Sequence, residues 1–129
     1  MTEISYREAI RRGLREAIEN DDRVFIMGED VRKGVYGSSM GLFDEFGGER
    51  VLDCPISENA FFGAAVGAAA VGMRPIIETG ACFMWVAMDS LVSQAAKMRY
   101  MFGGQVNLPI VYRALFYHGG SMAAHHSDR

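Results

Sequence analysis

Apolar residues recur at helical spacing near the start of the chain. Tyr6, Ala9, Ile10, Leu14, Ala17 and Ile18 share one face, while arginines and acids fill the other. Ser5-Tyr6-Arg7-Glu8 ahead of them has the form of a capping box, in which serine and glutamate side chains satisfy each other's backbone N–H. Asn20-Asp21-Asp22 ends this helix. The pattern then changes. Arg23 to Met27 is nearly all apolar, as expected of a strand buried on both faces. Gly41 to Phe46 reads as a short amphipathic helix broken by Gly47-Gly48, and Arg50 to Asp53 as a brief strand. A turn at Pro55-Ile56-Ser57 leads into a helix of small apolar residues from Glu58 to Gly72, then a strand over Arg74 to Glu78. A further helix is expected from Val86 to Phe102, with Met88, Leu91, Val92, Ala95, Met98 and Phe102 on one face and Gly103-Gly104 as its stop. Leu108 to Arg113 is the next strand, and Leu115 to Arg129 a loop carrying Tyr117, His118, Gly119, Gly120, His125 and His126. Strands alternating with helices imply an α/β fold, a parallel sheet flanked by helices with right-handed crossovers, in one domain over residues 1–129.

Composition narrows the class. Half of the 129 residues are hydrophobic and 22% are charged, which is enough for a real core. The net charge of −3 and the lack of a basic block make nucleic acid an unexpected partner. Cys54 and Cys82 have no zinc-type spacing and read as reduced thiols, with a disulfide left open. The N-terminal residues lack an apolar signal core. The longest apolar run, Ala60 to Met73, is too short and too rich in Gly and Ala for a membrane span. A soluble cytoplasmic protein is the expectation. The stop just after His125-His126-Ser127-Asp128-Arg129 suggests a fragment, or one domain of something longer.

Several residues stand out chemically. Glu58 opens an almost uncharged helix, and ionised acids are rarely buried without a partner. It either favours the helix start through the free N–H groups there, or is held in a dry site to polarise a ligand nitrogen. Glu29 follows the first strand, at the end of a parallel sheet where ligands collect; the plainer reading is a solvated turn acid. Lys33 to Ser39 is a flexible Gly/Ser loop, but neither a dinucleotide fingerprint nor a phosphate loop. Gly63, Ala64, Gly67, Ala68 and Gly72 lie on several faces of one helix. Each interior glycine costs about 1 kcal/mol against alanine, which makes sense if another backbone packs close at a subunit or domain interface. Thr79 to Trp85 is uncharged and aromatic, either the wall of an apolar pocket or plain core. Adjacent histidines point different ways in most backbones, so His125 and His126 are not expected to share a metal; either is catalytic or merely solvated.

Taken together, the segments SYREAI, VFIMGEDV, GLFDEFG with ERV, PISEN, FFGAAVGAA, GMRPI, MDSLVSQAAKMRYMFGGQ, LPIVYR and AAHHSD are very specific. Over nearly all 129 residues the chain resembles the β subunit of the E1 component of 2-oxo-acid dehydrogenase complexes, the pyruvate, branched-chain and acetoin type. The resemblance covers that family's transketolase-like pyrimidine-binding domain, which holds the aminopyrimidine of thiamine diphosphate. It implies that Glu58 hydrogen-bonds ring nitrogen N1′ and, with a pKa raised by apolar surroundings, favours the 4′-imino tautomer that takes the thiazolium C2 proton. It implies that Phe83 packs on the pyrimidine, with Cys82 or Met84 as the choice under a one-residue shift. His126 would lie near the substrate and the lipoyl group, and Glu29 would be an acid near the site. No GDG…N motif for Mg²⁺ and diphosphate occurs. In the family that half lies on a separate α subunit, within an α₂β₂ assembly that transfers its acyl group to the dihydrolipoyl acyltransferase E2. The resemblance therefore implies oxidative decarboxylation of a small 2-oxo acid such as pyruvate, only with partners and with no metal on this chain. The alternatives are an acetoin dehydrogenase β subunit, a non-catalytic truncated interaction module of the same fold, and another transketolase-type enzyme.

Overall fold

The computed structural model describes residues 3–116 and 122–127. The first amphipathic run forms α1, Tyr6–Asn20, where Ser5 Oγ accepts the Glu8 N–H at 3.1 Å. Only that half of the capping box forms, because the Glu8 carboxylate turns to Arg11 and Arg12 instead, each at 2.8 Å. The buried stripe is narrower than the pattern implies. Leu14 and Ile18 are buried and Ile10 and Ala17 pack at the margin, but Tyr6 is 83% exposed. At the other end, Arg50 donates to the carbonyls of Ile18, Asp21 and Val24, tying the end of α1 to the chain that follows it.

Four strands form one parallel sheet in the order β2-β1-β3-β4: β1 Val24–Gly28, β2 Val51–Asp53, β3 Arg74–Gly80 and β4 Val111–Leu115. The expected α/β class is observed. The fourth strand begins three residues later than the pattern suggests. Pro109 has no N–H for a ladder, and the Ile110 N–H folds back to the Leu108 carbonyl at 2.8 Å. Gly28 is required by close approach, since a Cβ there would sit 2.1 Å from the Glu78 backbone oxygen on the neighbouring strand.

The sheet separates two cores. Leu14, Ile18, Val24, Ile26, Val31, Leu42, Val51 and Ile76 pack beneath α1 and the short α2, Leu42–Phe46. Phe25, Met27, Phe61, Phe62, Ala65, Ile77 and Ala87 pack on the other face beneath α3, Glu58–Ala70. Phe62 is fully buried and its ring stacks on Tyr112 at 4.7 Å. Ala60, Ala64, Gly67 and Val71 form an uncharged stripe on the solvent side of α3.

The expected helix over Val86 to Phe102 is not one regular helix. Residues Ala81–Ala87 wind as a 3₁₀-helix, Asp89–Ala95 as a π-helix and Ala96–Met101 as α4. Overwinding followed by underwinding shifts the phase of the apolar face. Ser90 is therefore buried, while Val92 and Phe102 are 41% and 54% exposed. No described helix is long and apolar enough to cross a membrane.

Candidate functional site

In a parallel sheet, all strands end on the same side. β1 runs into Glu29, β2 into Cys54-Pro55-Ile56-Ser57 and Glu58, β3 into the segment carrying Phe83, and β4 into the chain leading to His126. The four residues singled out from the sequence thus each follow a different strand at that edge. The structure groups them into two pairs.

The first pair is carboxylic. Glu58 is the first residue of α3 and only 6% exposed. The Ser57 hydroxyl donates to the Pro55 carbonyl at 3.0 Å, closing the turn that delivers it. Glu29 lies within hydrogen-bonding reach of Glu58. Burial first, then the neighbouring Glu58 carboxyl, pushes the Glu29 carboxyl up to about 7, with the Ser57 backbone N–H pulling the other way. Glu29 Oε1 is buried and finds no hydrogen-bond partner among the described residues. Two carboxyls this close do not both ionise readily, so the proton belongs to the pair. The reading of Glu29 as a merely solvated turn acid does not survive. Cys54 beside them is a thiol whose pKa is also raised, chiefly by burial, and no disulfide joins it to Cys82.

The second pair is aromatic. Phe83, in the 3₁₀ segment after β3, meets the His126 ring edge-on, with centroids 5.0 Å apart and planes at 84°. His125 is 6.5 Å from Phe83. The short 3₁₀ turn Ala124–His126 brings the two histidine rings to 4.2 Å, so they do not diverge as adjacent side chains in extended backbone would. Among the described residues no group of three or more His, Cys, Asp or Glu is arranged to hold a metal ion. Tyr117, His118, Gly119 and Gly120 of the expected loop lie outside the described residues. The two pairs are linked by packing, because the 81–87 segment lies against α3.

A third cluster lies on the opposite face of the sheet. Glu78 is wholly buried and ion-paired with Arg113 across the β3–β4 ladder. Ser38 and Ser39 donate to Glu78 Oε1 at 3.2 and 3.1 Å. The Gly/Ser stretch expected to be a flexible loop is instead tied down here, with Gly34, Gly37, Ser38 and Ser39 buried. Sequence reasoning overlooked this cluster, although a signal existed: two neighbouring strand patterns carry charges of opposite sign, Glu78 in one and Arg113 in the other.

Among families, the one described as "Transketolase, pyrimidine binding domain" matches residues 2–129. The chain is 47% identical over 129 residues to the pyruvate dehydrogenase E1 component subunit beta of Rickettsia bellii, covering 98% of this chain and 40% of that protein. It is 43% identical over 131 residues to the 2-oxoisovalerate dehydrogenase subunit beta of Bacillus subtilis, covering 99% of this chain and 40% of that protein. It thus spans about 40% of the length of these relatives. A solved structure titled "Split gene transketolase, inactive beta4 tetramer" superposes with a TM-score of 0.64 at 22% identity, over 88% of this chain and 34% of that one, which shows a shared fold. A parallel sheet with a buried acid at the head of α3, matched end to end by one family, leads to a single assignment: the chain belongs to the transketolase pyrimidine-binding domain family.

Proposed function

We propose that this chain supplies the pyrimidine-binding half of a thiamine diphosphate site in the β subunit of a 2-oxo-acid dehydrogenase E1 component, acting on a small 2-oxo acid such as pyruvate. The observation that carries the reading is the buried Glu58 at the sheet edge, with Glu29 beside it. The residues present fit one half of the group. A carboxyl suits a ring nitrogen, the Phe83 ring suits a flat heterocycle face, and the orphaned Glu29 Oε1 is an acceptor that lacks a proton to hold. The diphosphate and its Mg²⁺ are assigned to a partner α subunit, in an α₂β₂ assembly that passes its acyl group to a lipoyl-bearing E2.

When bound, thiamine diphosphate supplies the nucleophilic carbon and the electron sink for loss of CO₂. The chain's own residues do the rest. Glu58 holds a proton at its carboxyl within reach of the ring nitrogen. Glu29 keeps that proton local, because a shared proton costs less than two neighbouring charges. Phe83 orients the ring face and excludes water. His126, backed by Phe83, offers a ring N–H to negative charge developing on the substrate.

The uncharged stripe Ala60, Ala64, Gly67 and Val71 supports a second reading, an interaction module that docks a partner without chemistry. Reconstituting the chain with an α subunit and comparing wild type with Glu58→Gln separates the two. The enzyme reading expects assembly intact and turnover lowered by about 10²- to 10⁴-fold. Unchanged turnover would remove it. Full decarboxylation by the chain alone would remove the assigned need for a partner.

A further inference from the structure

One polar residue in the irregular helical segment has no role in that scheme. Ser90 is 6% exposed, on the π-helical turns that follow the Phe83 segment. Its hydroxyl lies 2.9 Å from Asn59 Oδ1 and 3.2 Å from the Asn59 backbone carbonyl, so its one proton is directed at both. Asn59 follows Glu58 directly in the first turn of α3. One turn on, Gly63 lies under Ser90 as well, since a Cβ there would sit at ordinary contact distance, 3.4 Å, from Ser90 Oγ. The underwound π turns set the phase at which Ser90 faces α3, beside Leu91, which packs against the same core. Ser90 thus makes a side-chain hydrogen bond between the 81–101 segment and α3.

We propose that Ser90 is a positioning residue. It locks the first turn of α3 to the segment bearing Phe83, and so fixes the Glu58 carboxyl relative to the aromatic wall of the pyrimidine site. The inference rests on the functional reading of Glu58 given above. It deepens that reading by naming what sets the spacing between the two halves of the pocket. Neither face of the lock is an apolar contact that any core residue would reproduce. A hydroxyl proton has a direction, and Asn59 presents two oxygens to receive it.

The test begins on the chain itself. Ser90→Ala is compared with Ser90→Thr, which keeps the hydroxyl, and with Leu91→Ala, which removes neighbouring packing without touching the lock. The side-chain carboxyl ¹³C resonance of Glu58 and amide exchange in the first turn of α3 are followed by NMR. Ser90→Ala should move the Glu58 resonance and speed first-turn exchange by about tenfold, leaving sheet amides unchanged. Ser90→Thr should restore both, and Leu91→Ala should lower stability without moving the Glu58 resonance. In the assembled complex, Ser90→Ala should raise the apparent KM for thiamine diphosphate by about three- to tenfold, with the KM for the 2-oxo acid unchanged. A Glu58 resonance and first-turn exchange that ignore Ser90→Ala, or respond equally to Leu91→Ala, would overturn the proposal. Failure of the underlying functional reading shows elsewhere, as full turnover in the Glu58→Gln complex.

Discussion

Glu78 and Arg113 stand at matching positions on adjacent parallel strands and pair on the sheet's α1 face, where Glu78 is wholly buried, Arg113 partly so, and two serine hydroxyls donate to the other carboxylate oxygen. Breaking it from the arginine side leaves a buried charge with only hydroxyl support. Arg113→Leu should therefore destabilise the chain by about 3–5 kcal/mol in urea unfolding. Adding Glu78→Gln to that variant should recover part of the loss. Ser39→Ala alone should cost only about 1 kcal/mol.

Stability should depend on pH in two separate windows. Glu29 has its pKa raised from 4.5 to about 7, so the folded state binds its proton more tightly than the unfolded chain does. That contribution is fully present below pH 4.5 and is lost as pH rises through about 7. Glu8 and Asp21 are lowered to about 2 by their arginine partners, so what they contribute is present above their ordinary values and lost as pH falls towards 2. Thermal unfolding from pH 3 to 8 should show a fall towards each end. Glu29→Gln should remove the decline between pH 4.5 and 7 and leave the acid limb; a slope that persists there would contradict the carboxyl pairing.

Gly67 tests the interface. A Cβ there meets nothing within 4 Å, so Gly67→Ala should stabilise the chain alone by about 1 kcal/mol through helix propensity. If a partner helix packs against that stripe, the same methyl should weaken assembly with the α subunit. Light scattering on the mixture, alongside thermal melts of the chain, reads both. Stabilisation with undiminished assembly would place the interface elsewhere.

Tyr112 carries a buried hydroxyl with no hydrogen-bond partner among the described residues, and burial pushes its pKa up to about 12. Its ring already stacks on Phe62. Tyr112→Phe should keep the stack and shed an unsatisfied polar atom, raising stability by about 1 kcal/mol. Phe62→Ala, which empties a fully buried site, should lower it by about 3–5 kcal/mol. Urea unfolding of both variants checks the contrast.

The parallel sheet was legible because β1 is a near-continuous apolar run and β3 is built around Pro75-Ile76-Ile77, a pattern that needs only local sequence. Glu58 was legible as a lone charge on an apolar helix. Its neighbour Glu29 was visible as a residue but not as a partner, because the two are brought together by the strand register of Gly28 with Asp53. Ser38 and Ser39 were misread as mobile for the same reason: the acid that fixes them lies 40 and 39 residues away in the chain. The irregular helix from Ala81 to Met101 hid Ser90, since a regular 3.6-residue period assigns the buried face to Met88 and Leu91. Long-range pairing and helix winding are the two quantities a single sequence does not display.

Because each strand hands over to one candidate site residue at the same rim, the rim reads as a set of separately adjustable arms on a fixed frame. Lengthening or trimming the connection after β3 re-aims Phe83 without disturbing the ladder beneath it, and the stretch after β4 does the same for His126. On the proposed function, a change of substrate acid in such a scaffold would ask for new loops, not for a new core.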